Sequence, residues 1–255
     1  MRIVLLGTGN LATRLGIALR AKGIEIIQVY GRTESSAARL ANLPGTLFIS
    51  TKKEIITDAD LYILAVSDDA IPDVIADLPI REQLIVHTAG SVSMNILATV
   101  SKNYGVFYPL QTLSKQKEVD FSTVPICIEA NSAENLAKLR ALAAIISDQV
   151  VQVDSMQRKQ LHLAAVFVSN FVNHFYSIGE KLLLEKQLDF DLLKPLIMET
   201  ANKAMLFSPQ TVQTGPAIRN NKTIMDQHLK MLAQHPNWQK LYELISRDIH
   251  TFSIK

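Results

Sequence analysis

The sequence predicts a doubly wound, mostly parallel α/β domain over residues 1–153, followed by an all-α domain over residues 154–255. Three observations carry this. Short apolar runs alternate with helical patterns as far as Val153. A glycine turn directly follows the first apolar run. Beyond Asp154 no strand-like run recurs.

The first strand is Arg2–Leu6. Gly7-Thr8-Gly9-Asn10-Leu11-Ala12 follows, a Gly-x-Gly-x-x-Ala turn, and Leu11, Leu15, Ala18 and Leu19 then recur at helical spacing. Strand, glycine turn and helix in that order are the context in which this motif binds a dinucleotide. Gly7 permits the tight turn, Gly9 lets the backbone approach a pyrophosphate, and small Ala12 lets the helix lie close to the strand. The helix N-terminus offers free N–H groups and a positive dipole end to the phosphates.

Ile24–Tyr30 reads as the second strand. An NAD-preferring protein carries Asp or Glu near the end of this strand, for the ribose 2′-hydroxyl. Here Arg32 and Thr33 stand at that end. A guanidinium and a hydroxyl suit the 2′-phosphate of NADP, although Arg32 alone also reads as a solvated surface residue. Ser35–Asn42 reads as a short helix, and Phe48–Ser50 as a brief strand. Asp60–Val66 is an apolar strand, as expected where both faces of a parallel sheet are covered. Val66, Ser67 and Asp68 leave its carboxyl end, where ligands bind in open α/β sheets. Asp68 and Asp69 also read as helix-start residues.

Leu84–His87 is the next strand. Thr88-Ala89-Gly90-Ser91 leaves it, with Thr88 and Gly90 beside the expected cofactor, and Ser91 or Ser93 caps a helix over Met94–Ser101. Further strands are expected at Gly105–Tyr108, Thr123–Glu129 and Val150–Val153, with a helix over Glu134–Ile146 capped by Ser132. Helices then follow at Ser155–Leu184, Asp191–Met205, Lys222–Ala233 and Asn237–Ile249.

The helix over Ser155–Leu184 has almost no polar face between Leu161 and Phe175, which reads as burial on most sides. So small a helical domain cannot bury it alone, and a homodimer through the helical domain is expected. At 100° per residue His162, Ser169 and Asn173 fall within about 40° of one another, with Asn170 at the edge of that stripe. Two readings stay open for the stripe: polar core residues satisfied by another helix, or a substrate-facing surface.

Composition narrows the functional class. The chain has 255 residues, 48% of them apolar, and a formal charge of +2 with no basic tract, which argues against nucleic acid as partner. No stretch approaches the ~20 apolar residues of a membrane span, and Ile3–Leu6 is too short for the core of a signal peptide. The single cysteine, Cys127, reads as a buried small hydrophobe. A cytoplasmic protein without a metal site is expected.

Several motifs carry a resemblance. They are Gly7–Ala12, His87-Thr88-Ala89-Gly90, Tyr108-Pro109-Leu110-Gln111-Thr112, His162-Leu163-Ala164-Ala165, Ser169-Asn170-Phe171, and Thr214-Gly215-Pro216 with Arg219. The whole chain resembles the NADP-dependent oxidoreductases of the superfamily that holds pyrroline-5-carboxylate reductase, ketopantoate reductase, 6-phosphogluconate dehydrogenase and the 3-hydroxyacid dehydrogenases. Within it the chain looks like a branch whose helical C-terminal domain is of unknown function. The resemblance implies hydride transfer between NADP and a carbonyl, imine or alcohol carbon, in a cleft between the domains.

One departure matters. Hydroxyacid dehydrogenases place a catalytic lysine one turn before an asparagine on this long helix. Asn170 matches the asparagine, but Val166 stands at the lysine position and cannot transfer protons. His162 is the substitute expected to donate the proton, with Asn170 orienting substrate or nicotinamide. Ser169 and Asn173 are candidate substrate contacts. Arg219 is a candidate clamp for a carboxylate, or a surface arginine. A non-catalytic NADP(H)-binding sensor or scaffold is the alternative to an enzyme. An S-adenosylmethionine enzyme is a third reading, which Arg32 disfavours.

Overall fold

The computed structural model describes residues 1–32, 45–114 and 116–253. Thr33 and the helix expected over Ser35–Asn42 lie outside the described residues. The chain divides into two compact units, Met1–His174 and Phe175–Lys255.

The first unit is built on eight strands: β1 (Arg2–Leu6), β2 (Glu25–Tyr30), β3 (Leu47–Ile49), β4 (Leu61–Leu64), β5 (Leu84–His87), β6 (Tyr104–Pro109), β7 (Ile126–Ala130) and β8 (Val150–Gln152). They form one sheet in the order β3-β2-β1-β4-β5-β6-β7-β8. All neighbouring pairs run parallel except β6 with β7. The order reverses between β1 and β4, which opens a crevice beyond their carboxyl ends.

Alternate residues of β1 feed two separate cores. Ile3 and Leu5 pack on one side, with Leu15 and Leu19 of α1 (Asn10–Ala21). Val4 and Leu6 pack on the other, with Ile71, Val74 and Ile75 of α2 (Ile71–Ile75). Side chains alternate along a strand, so burying both faces requires the continuous apolar runs seen in β1 and β4. Gln28 is the polar exception in β2. Its amide donates to the Glu54 carbonyl at 2.9 Å and accepts from the Ile56 amide at 3.0 Å, so it is buried without an unmet bond.

The expected helix over Met94–Ser101 is a 3₁₀ helix over Met94–Thr99, capped by Ser93. A 3₁₀ turn over Phe121–Thr123 delays the expected strand there, so β7 begins at Ile126. Ser132 caps α3 (Ala133–Ile146) as expected. Asp154 opens α4 (Ser155–Ala165) with a capping box completed by Gln157. The sheet ends at β8, at Gln152. The first compact unit nevertheless runs on to His174, because α4 is tied to the sheet through Arg158 and Glu129.

The long apolar helix departs from expectation in two ways. Between α4 and α5 (Val172–Leu184) the chain makes a π-turn over Val166–Phe171. Its apolar side chains are also not buried on most sides within one chain: Leu163, Phe167, Val168 and Phe171 are each 45–74% exposed. Phe167 and Phe171 meet edge to face at 5.0 Å.

The second unit is helical, with the later part of α5, then α6 (Lys194–Leu206), α7 (Lys222–Met231) and α8 (Pro236–Ser253). Among the described residues no helix is long and apolar enough to cross a membrane.

Candidate functional site

A cavity of about 890 Å³ lies beyond the carboxyl ends of β1, β4, β5 and β6, and its lining residues, from Gly7 to Asn170 in chain order, all belong to the first unit. That volume suits a cofactor with a small substrate. Its floor is the glycine turn. Gly7 has φ +131°, and a Cβ there would stand 2.2 Å from the Ala65 carbonyl oxygen, so no other residue fits between β1 and β4. Its amide donates to the Tyr30 carbonyl at 2.9 Å. A Cβ on Gly9 would meet nothing within 4 Å, which leaves room over the backbone for a ligand. Gly9 is the N-cap of α1 and no side chain caps that end, so its N–H groups remain available to an anion. Ala12 is fully buried against the sheet, the close packing expected of it. These features fit the pyrophosphate of a dinucleotide.

Thr8, Asn10 and Leu11 line the same floor, and exposed Arg32 lines its far side beyond Tyr30. Asn10 is positioned by donating from its amide nitrogen to the Leu113 carbonyl at 3.0 Å. Val66, Ser67 and Asp68 form one wall. Asp68 accepts from the Ser91 hydroxyl, tying the loop after β4 to the loop after β5. Asp68 also opens a 3₁₀ turn over Asp68–Ala70, which is the helix-start reading of this residue. Thr88 is anchored through its hydroxyl to the Leu64 carbonyl at 3.0 Å.

His162 faces this wall from α4, and its Nδ1 lies 3.2 Å from the Tyr108 hydroxyl. The rings meet edge-on, 6.2 Å apart. The imidazole also packs on Gly90, where a Cβ would stand 2.6 Å from Nδ1. Burial pushes the Tyr108 phenol pKa up, so it is protonated at neutral pH. Ser169, Asn170 and Val166 complete the lining from the π-turn.

That turn corrects the predicted stripe. A helix closing to i+5 rotates less per residue than the 100° of an α-helix, so positions beyond 166 lag the α-register. Asn170 thereby moves from the edge of the stripe onto the cavity beside Ser169. Asn173 is exposed and does not line the cavity. Arg219 is an exposed residue of the second unit.

Beneath the site lies a buried charge. Arg158, fully buried and one turn before His162, pairs with Glu129 of β7 and donates to the Val92 carbonyl. The Ser155 hydroxyl lies 3.0 Å from both Glu129 carboxylate oxygens. His87, also fully buried, accepts from the Ala89 amide through Nδ1 at 3.2 Å. Burial, and secondarily the Arg158 charge, hold its pKa down to about 4. Cys127 is buried and its thiol is pushed up by burial, consistent with a packing role.

Tyr108, Arg158 and Glu129 were not among the site residues expected from sequence. The position of Tyr108 at the carboxyl end of β6 is the signal that could have singled it out.

Residues 2–90 match the family model described as NADP oxidoreductase, coenzyme F420-dependent, and residues 124–249 match a domain of unknown function, DUF2520. No curated protein matches the sequence. Among solved structures, a candidate NADP oxidoreductase from Bacteroides fragilis is 48% identical over 98% of both chains, with a TM-score of 0.92. An imine reductase from Myxococcus stipitatus in complex with NADP+ is 16% identical over 100% of both chains, with a TM-score of 0.71. A 1-pyrroline-5-carboxylate reductase from Streptococcus pyogenes is 14% identical over 98% of both chains, with a TM-score of 0.63. The last two share the fold. At 48% identity over nearly its whole length, the chain belongs to the NADP oxidoreductase family.

Proposed function

We infer that this chain is an NADPH-dependent reductase of a carbon–nitrogen or carbon–oxygen double bond in a small substrate. What supports the reading is one cavity that begins at the glycine turn and ends at the Tyr108–His162 pair. When bound, NADPH supplies the hydride. Gly7 to Ala12 and the first amides of α1 hold the pyrophosphate, and Arg32 takes the 2′-phosphate. The wall of Val66, Ser67, Asp68, Thr88 and Gly90 flanks the nicotinamide half. His162 is the source of the proton that balances hydride addition, and Asn170 and Ser169 orient the acceptor.

Imines lead the substrate list because the two reductases that share this fold carry imine chemistry in their names. Hydroxy acids and keto acids follow. One observation favours a second reading, a non-catalytic NADP(H) sensor: Val166 lines the cavity where related dehydrogenases use lysine. A screen of cyclic imines, 2-keto acids and hydroxy acids, followed by NADPH absorbance, separates the two. Consumption of NADPH with any of them supports the enzyme. Tight NADPH binding with no consumption supports the sensor.

The reading includes a homodimer. Leu163, Phe167, Val168 and Phe171 lie within nine residues and are each 45–74% exposed, which supports a second copy covering them. Sedimentation of the full chain tests this, with a monomer at micromolar concentration as the contrary result.

A further inference from the structure

We propose that Tyr108 is the residue that hands the proton to the substrate, and that His162 serves it from behind. The inference rests on the reductase reading above and adds the identity of the group that meets the reacting atom.

His162 is held on one edge of its ring. Its Nδ1 edge is closed on two sides, by the Gly90 backbone and by the Tyr108 hydroxyl at 3.2 Å. A substrate atom therefore cannot share Nδ1. The phenol can share its oxygen, because a hydroxyl accepts one bond while donating another. With the proton on Nδ1, His162 donates to Tyr108 Oη, and the phenolic hydrogen is free to point into the cavity that Tyr108 lines.

The supports are set in the sheet. Tyr108 sits on β6 at the carboxyl end, where its backbone is fixed by pairing with Cys127 of β7. Glu129 of the same β7 pairs with Arg158, one turn before His162 on α4. The strand that places the phenol and the helix that places the imidazole are thus bolted to one neighbouring strand.

Hydride adds to the carbon of the C=N or C=O bond, and the bond's electron pair moves onto nitrogen or oxygen. That atom takes the proton of Tyr108 Oη. The phenolate takes the proton from His162 Nδ1, while the second ring nitrogen, on a half-exposed side chain, takes one from solvent.

Two measurements on the full chain test this. The first needs no substrate: nitrogen NMR of the His162 imidazole at neutral pH. Protonated Nδ1 is expected in the wild type and its loss in Tyr108→Phe; a His162 protonated on Nε2 in the wild type overturns the proposal. The second is NADPH oxidation with 1-pyrroline as probe. Tyr108→Phe and His162→Ala are each expected to lose roughly 100-fold or more in kcat, with NADPH affinity within about twofold of wild type. As parts of one relay, the double variant should fall no further than the worse single. If Tyr108→Phe keeps its kcat while His162→Ala loses it, His162 donates directly: the proposal fails and the reductase reading stands. If neither falls while 1-pyrroline is reduced, the proposal and the catalytic role of His162 fail together.

Discussion

Gly90 and His162 touch so closely that a methyl group cannot come between them: a Cβ on Gly90 would stand 2.6 Å from Nδ1 and 3.0 Å from the histidine's own Cβ. Swinging the ring away relieves the contacts with Nδ1 and Cγ but takes the imidazole out of place, and the histidine's Cβ at 3.0 Å asks for a further few tenths of an ångström from α4 or the Gly90 loop. Gly90→Ala should therefore cost about 100-fold in kcat, the scale of a misplaced reacting group, with folding preserved. Steady-state kinetics with circular dichroism checks this, and unchanged kcat would show that the contact is not needed.

Arg32 is the residue proposed to take the 2′-phosphate of the cofactor. Among the described residues it is the cation lining the far side of the floor, and its value to a 2′-phosphate is that of a charge-assisted bond, about 1.5–3 kcal/mol. Arg32→Ala should weaken NADPH binding by roughly 10–100-fold and leave NADH binding unchanged. Calorimetry with both cofactors measures the difference; equal losses would remove the 2′-phosphate role.

His87 should make stability depend on pH in the acid range. Its folded pKa is about 4, against roughly 6.5 unfolded. Between those values the unfolded chain binds a proton that the folded chain refuses, so stability falls as pH drops from 6.5 towards 4. The whole shift corresponds to about 3 kcal/mol. Urea unfolding across that range should show the decline, and His87→Gln should flatten it.

The Arg158–Glu129 pair is buried, with Arg158 fully enclosed. Arg158→Met should destabilise the fold by about 3–5 kcal/mol, because it strands the Glu129 carboxylate. Arg158→Met combined with Glu129→Leu should recover most of that loss. Thermal unfolding of the two variants checks the order, and a double variant weaker than the single would contradict it.

What the sequence disclosed and what it withheld follow from distance along the chain. The turn from Gly7 to Ala12 was legible because its strand, glycines and helix are contiguous. The strands were legible because both faces of a parallel sheet are apolar. The reversal of β7 was not, since an apolar run carries no direction. Neither was the π-turn, because the placement of Asn173 assumed a constant 100° step. Arg158 looked like any arginine in the polar first turns of a helix; its partner lies 29 residues earlier. Tyr108 and His162 are 54 residues apart, and only the closed sheet joins them.

The central claim is that this cavity holds NADPH and delivers its hydride to a double-bonded carbon. Mass spectrometry of the product made from NADPH deuterated on its nicotinamide tests that claim most directly. The account predicts one deuterium, on the carbon that began in the C=N or C=O bond. A protein that binds NADPH and transfers no deuterium to any imine, keto acid or ketone offered would contradict it.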